Sequence, residues 1–221
     1  MKTVVITGVS RGIGEALANK FLQEGYGVIG TSTSGKSKIN SPNLMMIKLD
    51  LSDTVSIKKA GKDIKNTTAN IDILMNNAGI SADEELGKID INVLRKNLEV
   101  NLIGLIAFTE LLLPIISQNG HIINMSSIMG SLTIKLGNSE LDFPAYRISK
   151  TAINMYTKTL ASRVKGRGII VSSVHPGWVK TDMGGKDATK EPTEAANEIY
   201  KLAITPHETG LFWHDNKICS W

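Results

Sequence analysis

The chain has 221 residues, 42% of them hydrophobic and 21% charged, with a formal net charge of +4. That length fits a single domain, 1–221, with a full core, and so small a charge with no clustered basic stripe argues against a nucleic-acid partner. One cysteine, Cys219, cannot build a disulfide framework or a cysteine zinc site and fits a reducing compartment.

In chain order, short apolar runs at 4–6, 28–30, 45–47, 71–75, 121–125 and 169–171 read as strands. They are almost continuously apolar, which predicts strands covered on both faces, as in a parallel sheet. Between them, 13–23, 56–65, 93–116, 145–164 and 194–203 carry helical periodicity. Strand and helix alternate along the whole chain, which predicts an α/β fold with a doubly wound parallel sheet. Met1-Lys2-Thr3 leads straight into the first strand without a signal-peptide layout. The most apolar stretch, 102–116, is broken by Glu110 and Pro114 and falls short of the about 20 residues that span a bilayer. The expectation is a cytoplasmic protein with no membrane partner.

The first strand enters Thr7-Gly8-Val9-Ser10-Arg11-Gly12-Ile13-Gly14, and a helix follows at once. Glycines at 8, 12 and 14 allow a tight turn, close approach of backbone to a phosphate, and close packing of helix on strand. The helix N-terminus offers free N–H groups and a positive dipole end to an anion. Glycines alone mark only a turn. In this strand–turn–helix setting they point to a nucleotide.

Tyr146 and Lys150 stand four apart at the start of a strongly helical segment, so phenol and ammonium share one face. A phenol has a reference pKa near 10. To exchange protons near neutrality it would have to fall by about 3, roughly 4 kcal/mol. One positive charge about 4 Å away, at an effective dielectric near 20, supplies about that much. Lys150 is therefore expected to activate Tyr146 by itself. An arbitrary Tyr-x-x-x-Lys is usually just a helix surface; this one lies downstream of the phosphate loop and after the fifth strand.

The T-G-x-x-x-G-x-G loop, Asn76-Asn77-Ala78-Gly79, Asn101, Ser126-Ser127, Tyr146-x-x-x-Lys150 and Pro176-Gly177-Trp178-Val179-Lys180-Thr181 occur in one order along residues 3–182. That set resembles the short-chain dehydrogenase/reductase family, and within it the carbonyl-reductase and C-factor-like branch. The resemblance implies a Rossmann-type fold. It implies Tyr146 as proton donor, Ser127 (chosen over Ser126) holding the substrate oxygen, Lys150 assisting, and Asn101 anchoring a relay water. It further implies coenzyme contacts at Gly8, Ser10, Arg11, Gly12, Ile13 and Gly14, then at Ser32, Thr33, Asp50 and Leu51. Asn77, Ala78, Gly79, Tyr146 and Lys150 follow, and finally Pro176, Gly177, Val179 and Thr181. The long helices from Val93 and Ala145 resemble the family's dimerising pair, implying a homodimer or homotetramer.

NADP(H) is expected in preference to NAD(H). NAD enzymes of this fold usually end the second strand with an acid, and Thr31-Ser32-Thr33-Ser34 has none; Arg11, Lys36 and Lys38 lie nearby. The substrate is expected to be a small carbonyl compound or alcohol in an apolar pocket formed by the 129–131 turn, Phe143, Trp178 and Met183. Two features depart from the family pattern. Ser127 and Tyr146 are 19 apart where 13 is commonest, the excess falling at 135–144, and segment 184–192 is short. His175 lacks partners at ligand spacing, so no metal is expected. Alternative functions are a non-catalytic NAD(P)-binding signalling or scaffold protein and an NAD-dependent alcohol oxidant.

Overall fold

The computed structural model describes residues 1–83, 88–135 and 142–221. Eight strands form one sheet in the order β3-β2-β1-β4-β5-β6-β7-β8. They are β1 (Thr3–Ile6), β2 (Gly27–Ser32), β3 (Leu44–Lys48), β4 (Ile71–Asn76), β5 (Ile116–Met125), β6 (Ile170–His175), β7 (Leu211–His214) and β8 (Lys217–Cys219). Every pairing is parallel except β7 with β8. The six strands expected from the sequence are present. The last two are additional, joined by a turn at Asp215 and Asn216, both in left-handed conformation with φ of 48° and 58°.

The helices are α1 (Gly12–Gln23), α2 (Thr54–Thr67), α3 (Ile91–Leu98), α4 (Leu105–Leu112), α5 (Pro144–Val164) and α6 (Pro192–Ile204). Successive strand residues point to opposite faces, and both faces are covered. In β1, Val5 packs with Ile57 and Ile64 of α2, Phe108 of α4 and Leu160 of α5. Its neighbours Val4 and Ile6 pack on the other face with Phe21 of α1 and Ile199 of α6. Truncating a side chain as fully enclosed as Phe21 or Phe108 would cost about 3–5 kcal/mol.

Between α3 and α4 the backbone adopts a π-helix, Glu99–Gly104. Helix therefore runs from Ile91 to Ile115, longer than the 102–116 stretch suggested. By length and composition this run could cross a membrane, a correction to the expectation that it is too short. Within this fold it carries the buried apolar residues Leu105, Phe108 and Leu112 and the buried amides Asn97 and Asn101. The excess residues expected at 135–144 fall largely outside the described residues.

The strand order reverses between β1 and β4, and a cleft opens at their carboxyl ends, where open α/β sheets bind ligands.

Candidate active site

The cleft has a volume of about 560 Å³. At one end it is floored by the turn from β1 into α1, where Gly8 and Gly12 take left-handed φ of 76° and 59°. Gly14 is needed for a different reason, since a Cβ there would lie 2.0 Å from the Gly8 carbonyl oxygen. No side chain caps α1, so its first-turn N–H groups are left to the cleft.

The loop after β4 is tied to this turn. Thr7 Oγ1 accepts from the Asn77 and Ala78 amides at 3.0 and 2.9 Å, and Asn77 Nδ2 donates to the Thr7 carbonyl at 2.8 Å. Thr181 reaches the same turn from beyond β6, its methyl 3.1 Å from where a Cβ on Gly12 would stand.

Most of the expected coenzyme residues line this one cleft. Ser10, Arg11 and Ile13 join the glycines; Ser32, Thr33, Asp50 and Leu51 form the next stretch; Asn77, Ala78, Gly79, Tyr146, Lys150, Pro176 and Thr181 complete it. Val179 does not line it. It is buried and pairs with Lys190 as a short parallel bridge, which turns its side chain inward. Gly177 is also outside the lining and supports the turn with φ of 90°. Ser32 lines the cleft, but its hydroxyl is engaged with the Lys36 main chain, donating to the carbonyl at 2.9 Å and accepting from the amide at 3.0 Å. Arg11 pairs with Asp182, 3.0 Å away, and both are largely exposed.

Deeper in the cleft stand Tyr146 and Lys150, with Ser126 also in its lining, whereas Ser127 and Asn101 lie just outside that lining. The Ser127 hydroxyl lies beside the Tyr146 phenol and favours its ionised form. Ser127 Oγ also accepts from the Met129 amide at 3.2 Å, which fixes the turn that follows β5. That turn docks on α5 through Gly130, where a Cβ would come within 2.9 Å of Lys150 Cβ. Ser126 is used structurally, its hydroxyl donating to Asn154 Oδ1 at 2.6 Å. Asn101 lies on the π-helical segment, a backbone irregularity frequent at functional sites. Its side chain exchanges hydrogen bonds with Ile80, accepting from the amide and donating to the carbonyl at 2.8 Å each, and donates to Ser149 Oγ at 3.0 Å. Asn101 and the Lys150 ammonium both crowd Gly79, at 3.1 and 3.5 Å from the position of an added Cβ.

Electrostatically, the pair differs from the expectation that Lys150 alone lowers Tyr146. Burial raises the phenol to about 12, only partly offset by the neighbouring Ser127 hydroxyl. Burial also lowers Lys150 to about 8. Its ammonium donates to the Met125 carbonyl at 2.7 Å and lies 5.4 Å from the Tyr146 ring centroid. Desolvation outweighs the single charge that the sequence argument placed nearby.

Of the expected substrate wall, the 129–131 turn is outside the lining and Met183 lines the cleft. Trp178 and Phe143 do not; both are exposed, and the Trp178 Nε1 donates to the Gly184 carbonyl at 2.7 Å. Among the described residues, no group of three or more His, Cys, Asp or Glu is placed to hold a metal ion. Asp83, absent from the residues expected at the site, accepts hydrogen bonds at the head of α5. No local spacing announces it.

The cleft suits a dinucleotide: glycine backbone where a Cβ would collide, uncapped helix N–H groups, and an arginine at the rim. A family model described as short chain dehydrogenase matches residues 2–192. A 3-oxoacyl-(acyl-carrier-protein) reductase FabG of Aquifex aeolicus is 34% identical over 214 residues, covering 92% of this chain and 82% of that protein. C-signal of Myxococcus xanthus is 32% identical over 151 residues, covering 66% of this chain and 89% of that protein. The structure of an NADPH-bound carbonyl reductase from chicken fatty liver matches with a TM-score of 0.92 at 25% identity, covering 100% of this chain and 94% of that one.

Proposed function

The chain belongs to the short-chain dehydrogenase/reductase family, and from that premise we propose that it is an NADPH-dependent reductase of a ketone or aldehyde, running in reverse as an alcohol oxidant. The observation that carries this reading is the Tyr146 hydroxyl, beside the Ser127 hydroxyl and one helical turn from Lys150, in a cleft continuous with the glycine turn. When bound, the reduced nicotinamide supplies the hydride.

The chain's own residues manage the proton. Ser127 Oγ donates to the carbonyl oxygen and fixes its position against the Tyr146 hydroxyl. Tyr146 Oη releases its proton to that oxygen as negative charge builds there. Burial favours the neutral phenol, so Tyr146 is held protonated until the charge developing on the substrate oxygen, with Lys150 beside it, draws the proton off. Lys150 contributes a positive charge beside the resulting phenolate and a donor to the nicotinamide ribose. Asn101, pinned through Ile80 and Ser149, keeps the segment behind Lys150 in place for a relay water.

The preference for NADPH rests on the absence of an acid at 31–34 and on Arg11 at the cleft rim. Likeness to an NADPH-bound carbonyl reductase supports it. Exposed Ile103 and Met155 on the long helices suit a homodimer or homotetramer. The similarity to C-signal favours a second reading, a nucleotide-binding signalling protein that does not turn over. The complete set of Ser127, Tyr146, Lys150 and Asn101 weighs against it, since a pure binder has no use for all four. A panel of ketones, aldehydes and quinones, each with NADPH and NADH, separates the two. Carbonyl-dependent loss of NADPH absorbance is expected. Tight NADPH binding with no turnover of any carbonyl would instead support the signalling reading.

A further inference from the structure

The head of α5 lacks the local acceptor that most helices carry. Phe143 stands at the N-cap in left-handed conformation, φ 52° and ψ 51°, and provides no side-chain cap. A helix leaves its first N–H groups without helical partners, and a Ser, Thr, Asp or Asn at the N-cap normally accepts from them. Phenylalanine cannot, and Pro144 at the first position removes only one donor.

The acceptor comes from another part of the chain. In the loop after β4, Asp83 Oδ1 accepts from the Ala145 amide at 2.8 Å and Asp83 Oδ2 from the Tyr146 amide at 3.0 Å. The sequence separation is 62 residues for the first of these bonds. Asn97 on α3 donates to Asp83 Oδ2 through Nδ2 at 3.4 Å and is itself fully buried. One carboxylate thus joins the loop beyond Gly79, the helix leading to Asn101, and the residue that bears the phenol.

We infer that Asp83 is a positioning residue for the reductase chemistry: by holding the Ala145 and Tyr146 amides it sets where the Tyr146 hydroxyl stands relative to Ser127 and the substrate oxygen. The inference rests on the reading of Tyr146 as proton donor. A negative charge at a helix N-terminus also stabilises the helix. The backbone it grips, however, belongs to Tyr146 itself and lies beside a residue already in an uncommon conformation. A shift there passes straight to the hydroxyl, and misplacement by about 1 Å can cost about a hundredfold in rate.

The test compares wild type, Asp83→Ala, Asp83→Asn and, as a control cap on another helix at a residue outside the cleft lining, Asp53→Ala. Asp53 accepts from the Val55 amide at 2.8 Å at the start of α2. Asp83→Ala is expected to lower kcat by about 10–100-fold while leaving the NADPH dissociation constant within about twofold. Asp83→Asn, which keeps one acceptor oxygen, is expected to recover about half of that loss on a logarithmic scale. Asp53→Ala is expected to lower the melting temperature and leave kcat unchanged. Independently of turnover, hydrogen exchange at the Ala145 and Tyr146 amides is expected to quicken at least tenfold in Asp83→Ala and detectably in Asp83→Asn. If wild type reduces no carbonyl, the exchange result still decides whether Asp83 holds α5, and only the proposed reaction fails. Unchanged exchange at both amides, or wild-type kcat in a folded Asp83→Ala protein, would overturn the inference. Should Asp83→Ala fail to fold, Asp83→Asn carries the same two criteria.

Discussion

The Lys150 ammonium donates to the main-chain carbonyl of Met125 at 2.7 Å and lies 5.4 Å from the ring centroid of Tyr146. Both side chains sit where water cannot easily solvate a charge. The phenol is accordingly held up at about 12 and the ammonium down at about 8. In this arrangement the protein keeps Tyr146 protonated, and Lys150 is a cation that ordinary alkaline conditions can discharge.

The first expected outcome follows from that discharge. kcat/KM for NADPH reports groups of the free protein. It should be level below about pH 8 and fall about tenfold per pH unit above it, as Lys150 loses its charge. Stability should move the other way. The unfolded chain holds this proton up to 10.5 and the folded one only to about 8, so between those values Lys150 makes the fold more stable as pH rises. Parallel pH profiles of turnover and urea midpoint check both, and activity level to about pH 10 would contradict the first.

Acid should destabilise the fold through two histidines. Burial lowers His121 and His175 from 6.5 to about 3 each. His121 is enclosed with Nδ1 on the Ala203 carbonyl at 3.1 Å and Nε2 on Ser172 Oγ at 3.0 Å. A depressed histidine contributes stability above its unfolded value and loses it as pH falls toward the folded one. Between pH 6.5 and about 5 each should remove about 2 kcal/mol. Urea unfolding at those two pH values measures the sum. A His121→Gln protein, less stable at neutral pH, should show about half the wild-type loss.

Arg11 and Asp182 face each other at the rim of the coenzyme cleft, so a 2′-phosphate there would compete with Asp182 for the arginine. An exposed pair of this kind contributes at most about 1 kcal/mol. Asp182→Asn should therefore tighten NADPH by up to about fivefold with little effect on NADH. Arg11→Ala should weaken NADPH by about tenfold or more, since a charge-assisted contact contributes about 1.5–3 kcal/mol. Calorimetric titration with both coenzymes is the check. A protein whose two coenzyme affinities ignore both substitutions would remove Arg11 from the preference.

The regular elements were legible because their signals are local. Val4-Val5-Ile6 has to be covered on both faces, and the glycines at 8, 12 and 14 occur where a strand must turn into a helix with no room for a Cβ. Tyr146 and Lys150 were legible from helical spacing together with their place after the fifth strand. Asp83 was not, because its partners lie across the fold rather than within one turn. The π-helical step at Asn101 depends on packing, Gly104 resting within 2.0 Å (for an added Cβ) of the Leu51 carbonyl oxygen, and no periodicity encodes it. The hairpin of β7 and β8 is short and polar at its turn, and its pairing with β6 and the burial of Phe212 give it a place. The failed expectation that Lys150 alone activates Tyr146 has the same root. Spacing gives a distance along a helix, whereas the pKa values depend on how completely the rest of the chain excludes water.

The most direct measurement is steady-state reduction by a Tyr146→Phe protein, alongside its NADPH dissociation constant. Only the hydroxyl is lost, so the fold, the melting temperature within a few degrees, and coenzyme binding within about threefold should persist. Turnover of any carbonyl accepted by the wild type should fall by about 10²–10⁴-fold, the usual contribution of a general acid. Wild-type turnover in the folded, NADPH-binding variant would contradict Tyr146 as the proton donor.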